Sequence, residues 1–321
     1  MMRLLIGELP AWVRRDHPVL RYELGKATRG SFALRLLRAF LVVLALAVAA
    51  GIGTVIATNF FTQPAGETLF DSIHAIAYFP LLIAQLALRV VAFAMTADTV
   101  GEEMRRQQWD SLRATPNGAD LALRTRWIGV FYRQRGFIIA LLISRVLLIG
   151  VMLYELTGFQ GRYLDLLIYR ITPEVALPAA ILLLSFVMTA AILLPLTGIA
   201  FDAALGLLIS SLAQKRTFNT LAGFMVILLR AALTIALFVA ITWYLNGAQT
   251  LPDPLAWLLA LFFGGSGDWG LSYLLLTRFG QIWATIPFGI FIGLALVGFA
   301  LVQAWLADRI VALAVRRAQH T

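Results

Sequence analysis

Six apolar runs, each of about twenty residues or more, constrain this chain more than any other feature of it. They cover residues 39–60 ("AFLVVLALAVAAGIGTVIATNF"), 73–97, 137–157 ("FIIALLISRVLLIGVMLYELT"), 178–212, 218–246 and 282–307. A helix rises 1.5 Å per residue, so about 20 apolar residues cross the roughly 30 Å hydrocarbon core of a bilayer. The runs therefore predict an all-α integral membrane protein with six spanning helices in one transmembrane domain over residues 1–321. Residues are 60% apolar and 13% charged, against about 45–50% and about 25% in a soluble domain. Water cannot cover that much oil. The fourth run exceeds one untilted crossing and holds Pro195 and Gly198 at its middle, which predicts a kink or an extension beyond the bilayer.

The basic residues predict the orientation. With the N-terminus in the cytoplasm, segments 1–38, 98–136, 213–217 and 308–321 face inward and hold twenty of the twenty-six Lys and Arg. Both termini are then cytoplasmic. The net charge of +9 follows from this bias and from attraction to anionic lipid headgroups, so it requires no nucleic acid partner. The start, "MMRLLIGELPAWVRRDHP", lacks the apolar core of a cleaved signal peptide, so the first span is expected to direct insertion. There is no cysteine, and His17, His74 and His320 are far apart; neither a thiolate site nor a metal centre is expected. The outer segment 247–281 contains "DPLAWLLALFF", too short to span. It reads as a helix on the outer surface or a re-entrant helix capping a pathway.

Between the second and third runs stands "TVGEEMRRQQWDSLRATP", residues 99–116. Thr99 and Glu102 have the spacing of a capping box, Glu102 and Glu103 suit the first turn, and Arg105, Arg106 and Arg113 suit the later part of a helix dipole. Pro116 ends the pattern. A short helix with Met104, Trp109 and Leu112 on one side is predicted. It could lie on the headgroups or fit a groove on a soluble partner.

Within that stretch, "GEEMRRQQWDSLRATP" resembles the first cytoplasmic loop of ABC-2 type transporter permeases, with Glu103, Arg106, Trp109, Asp110, Leu112, Thr115 and Pro116 at the positions of that family's pattern. The family has Gly-Thr ahead of the second acid, where this chain has Gln108 and Trp109. "DHPVLRYELGKATRGS" (16–31) resembles the family's N-terminal interfacial helix, and "GLLISSLAQKRTFNTLAG" (206–223) its turn between spans four and five. The resemblance implies the membrane subunit of an ATP-driven transporter, mostly an exporter, working as a dimer with a second permease copy or a homologue. It implies that Glu102, Glu103, Arg105, Arg106, Trp109, Asp110 and Leu112 form a coupling helix docking a nucleotide-binding ATPase, and that Trp12, Val13, Leu20 and Leu24 seat an interfacial helix in the inner leaflet of a prokaryotic cytoplasmic membrane.

No G-x-x-x-x-G-K-[ST] loop occurs, and Lys215 follows "SSLAQ" rather than a glycine-rich turn. ATP and Mg are therefore expected on a partner ATPase, with no cofactor on this chain and no catalytic residues. A membrane protease of the EExxxR type is excluded, because position 107 is Gln and His320 is the sole histidine after His74. A non-transporting scaffold subunit remains the alternative.

Four charges fall deep inside the runs, away from their ends: Arg89, Arg145, Asp202 and Arg230. Each costs at least about 2.5–3.5 kcal/mol if isolated in the bilayer. Counting along each run puts them at similar depth. Three readings follow: an ion-paired cluster with Asp202 bonded to Arg230 or Arg145, arginines that snorkel to the inner headgroups, or a basic site for an anion. The small-xxx-small pair Gly289 and Gly293 predicts close helix packing. The apolar spans favour a lipid-like cargo over a sugar or a metal ion.

Overall fold

The computed structural model describes residues 10–13, 17–25, 69–105, 107, 109–115, 117–158, 177–212, 216–266, 270–274, 286 and 288–320. Among them every regular element is helical. The long helices are α2 (Leu69–Thr96), α5 (Gly118–Gly158), α6 (Leu177–Leu212), α7 (Arg216–Leu245) and α9 (Ile292–His320). Shorter ones are α1 (Pro18–Gly25), α3 (Thr99–Arg105), α4 (Trp109–Ala114) and α8 (Asp253–Ser266). Among the described residues five helices are long and apolar enough to cross a membrane. The predicted first span, 39–60, lies outside the described residues.

Two predicted boundaries move substantially. Residues 118–136 belong to helix α5, which precedes and continues through the predicted third span. At 41 residues it is about 60 Å long, twice the hydrocarbon thickness, so much of it projects beyond an apolar layer. Helix α9 likewise runs past 307 to His320. The reason is packing. Val311, Ala314, Val315 and Ala318 of α9 are buried against Val100, Trp109, Leu123 and Leu207, so a second core reaches past the ends of the predicted spans.

The stretch 99–115 is two helices rather than one. Gln107 takes a left-handed φ of 57°, and its N–H bonds the Met104 carbonyl at 3.0 Å. In a continuous helix at 100° per residue, Val100 and Trp109 would lie on opposite sides. The break lets both enter the same core. The capping box does not form: the Thr99 hydroxyl donates to the Thr96 carbonyl at 2.8 Å, and the Glu102 N–H goes to Asp98 O at 2.9 Å.

Helix α6 is the central element, packed most extensively on α9 and then on α2. Small residues set those distances. A Cβ on Gly293 would come 2.6 Å from Val187 Cγ2 and 2.7 Å from the Leu183 carbonyl. Thus the predicted close contact at Gly293 is one within the chain. A Cβ on Gly206 would strike the Phe93 carbonyl at 2.6 Å, and beside it Thr96 Oγ1 donates to Ala203 O at 2.9 Å. Further polar links cross the helices: Trp127 Nε1 to Ala200 O at 2.9 Å and Thr197 Oγ1 to Gln303 Oε1 at 2.8 Å. Such bonds matter where hydrophobic attraction between helices is absent.

Candidate functional site

At the end of the bundle that carries α3 and α4, Arg126 of α5 joins three elements. Its Nη1 donates to Glu23 Oε2 of α1, and its Nη2 donates to Glu102 Oε2 of α3 at 2.8 Å. Arg133, two turns further on, donates from Nη2 to the Glu23 carbonyl at 2.7 Å. The Tyr132 hydroxyl donates to the Val13 carbonyl at 2.9 Å, and the Arg124 guanidinium lies 5.9 Å from the centre of the Trp12 ring. These contacts bind the N-terminal segment to α5. Leu20 is fully buried and Val13, Trp12 and Leu24 are half-buried. Leu20 is therefore held by protein rather than by lipid, while Tyr22 of the same eight-residue helix is exposed.

The predicted coupling residues divide by exposure. Trp109 and Glu103 are buried, Glu102 and Leu112 are half-buried, and Asp110 is exposed. Trp109 thus cannot present its ring to a partner; it props α4 from inside. Arg106 lies outside the described residues, and Arg105 is described by its backbone alone. What faces outward is Gln107, Asp110, Ser111, Ala114, Thr115 and Asn117. The tilt of this surface is fixed at both ends. Val100 N bonds Ser210 Oγ of α6 at 2.8 Å. Gly118 admits no Cβ, because one would overlap the Leu112 carbonyl and Thr115 Oγ1.

The four charges of the apolar runs form two groups. Asp202 of α6 accepts from Arg89 Nε of α2 at 2.7 Å and from Arg230 Nη1 of α7. Arg89 and Asp202 are buried; Arg230 is one-fifth exposed. Nη1 of Arg89 also reaches the Ser266 carbonyl at 3.4 Å, so the last turn of α8, with its partial negative charge, lies on this cation. Gly198 makes room: a Cβ there would stand 2.8 Å from Arg89 Cζ. Arg145 does not join Asp202, which corrects one of the predicted pairings. It is fully buried and donates to Gln85 Oε1 and to the Ala191 carbonyl. That carbonyl is available because residue 195 is proline and supplies no N–H to it.

Sequence reasoning found the four charges but missed Gln85, Ser266 and Ala191, and read Gly198 as part of a kink rather than as room for Arg89. The signal for Ala191 was present, since a proline inside a helix frees the carbonyl four residues before it. No protein-family model matches the chain, and neither does any curated protein or solved structure.

Proposed function

We propose that the chain is the membrane-spanning permease subunit of an ATP-driven exporter, paired with a second permease copy and served by a separate ATPase subunit that binds ATP and Mg. The carrying observation is the α3–α4 pair. Its inner face is locked into the bundle through Val100 and Trp109, while Asp110 and Ser111 stand outside. A force applied to that outer face would be passed to α5, α6 and α9 through the core and to α1 through Arg126. The likeness of this segment to the permease coupling loop supports the same reading. The distribution of basic residues supports a cytoplasmic position for α3–α4 and both termini in a prokaryotic inner membrane. The contact of the α8 end with Arg89 supports a re-entrant position for α8, capping the bundle from the outer side.

The test is capture of the partner by the tagged full chain in mild detergent. An ATPase with a Walker A loop should co-purify with wild type and with Gln249→Arg, an exposed position in the predicted outer segment, and should be lost from Asp110→Arg. A stable complex holding no ATPase in any variant would make the chain a scaffold subunit instead.

A further inference from the structure

Two guanidinium groups share one carboxylate inside the bundle. Arg89 and Arg230 both donate to Asp202, so among the described residues the group carries one positive charge in excess. Part of that excess meets the carbonyl end of α8 at Ser266. Nη2 of Arg89 nevertheless remains buried with no hydrogen-bond partner among the described residues. The rest of the sequence cannot neutralise it from within the apolar runs. Across all six, Asp202 and Glu155 are the only carboxylates, and Glu155 stands near the far end of its run, ten residues beyond Arg145. A purely structural ion pair would need one arginine. The second is supernumerary in a medium where uncompensated charge is expensive.

Arg230 is the accessible member. It is one-fifth exposed and sits on α7, the long helix least covered by the other described elements. Met225, Leu228, Leu229 and Leu233 around it are exposed apolar side chains. We propose that Arg230, backed by Arg89 and Asp202, binds a single anionic group, phosphate or carboxylate, carried by an amphiphile whose hydrocarbon part lies along α7. The anion takes Arg230 from Asp202, and Asp202 keeps Arg89. Two cations then face two anions and the group is neutral. That the amphiphile is the cargo rests on the exporter reading; that it binds does not.

The experiment is native mass spectrometry of the full chain from micelles holding equal amounts of phosphatidylglycerol and phosphatidylcholine. Wild type should retain the anionic lipid with a preference of about tenfold, the worth of one charge-assisted hydrogen bond. Arg230→Gln should lose that preference. Arg230→Lys and the exposed control Arg309→Gln should keep it. Millimolar inorganic phosphate should not displace the lipid; displacement would assign the site to a soluble anion and overturn the amphiphile. Equal retention of both lipids by wild type would overturn the proposal even if Arg230→Gln failed to fold, as would an undiminished preference in that variant. Anionic lipid retained by a chain that captures no ATPase would leave the site standing and remove the transport reading.

Discussion

The guanidinium of Arg145 donates to the carbonyl of Ala191, whose helical donor is missing because residue 195 is proline. A kink-forming residue on one helix is thus matched to a buried cation on another. The same guanidinium takes the amide oxygen of Gln85 from a third helix. Among the described residues, Arg145 joins α5, α6 and α2 through neutral acceptors on Ala191 and Gln85.

Arg145→Leu should therefore destabilise the chain by about 1–3 kcal/mol, since it leaves two buried acceptors without donors. Pro195→Ala restores a backbone N–H beneath Ala191. In the double variant the two losses should not add, with a coupling of about 0.5–3 kcal/mol. Thermal melts of the four proteins in one detergent measure this cycle, and strict additivity would show that the carbonyl and the guanidinium are independent.

Gly198→Ala should be costly out of proportion to one methyl group. The new Cβ would meet Arg89 Cζ at 2.8 Å, and Asp202 prevents the guanidinium from withdrawing. Overpacking of this kind costs about 1–3 kcal/mol. In an Arg89→Ala background the same substitution should cost close to nothing, because the space is then empty. Melting temperatures decide it.

Asp202→Asn should be the most damaging single change in the bundle. Removing one member of a buried ion pair costs about 3–5 kcal/mol, and here two arginines lose their shared carboxylate. The expected result is a large drop in monodisperse protein on size-exclusion chromatography. The triple variant Arg89→Gln, Asp202→Asn, Arg230→Gln should recover much of that yield. A single variant as well behaved as wild type would mean that charge does not hold these helices together.

Arg126→Gln should loosen one element and spare the rest. Glu23 and Glu102 lose their common cation, so hydrogen exchange in Pro18–Gly25 should accelerate by about tenfold or more. Exchange in α6 and α9 should stay as it is. If α1 exchanges at the wild-type rate, Tyr132 and Arg133 suffice to hold it.

The apolar runs were enough to predict helices and, for the five runs that fall among the described residues, roughly where they lie, because the length and hydropathy that make a run a span are local properties. Basic residues in the connecting segments gave an expected orientation by the same local logic. Three things were not local. Helix α5 extends back to Gly118, and α9 onward to His320, because their polar-flanked ends find partners in α3, α4 and α6. The stretch 99–115 breaks at Gln107 because Val100 and Trp109, nine residues apart, must both reach one core. The four charges could be placed at a common depth from sequence, yet which arginine meets Asp202 depends on how α2, α5 and α7 are arranged around α6. Composition and periodicity fix what a segment is; the partner of a buried charge is fixed by the geometry of helices distant in sequence, and only the assembled bundle decides it.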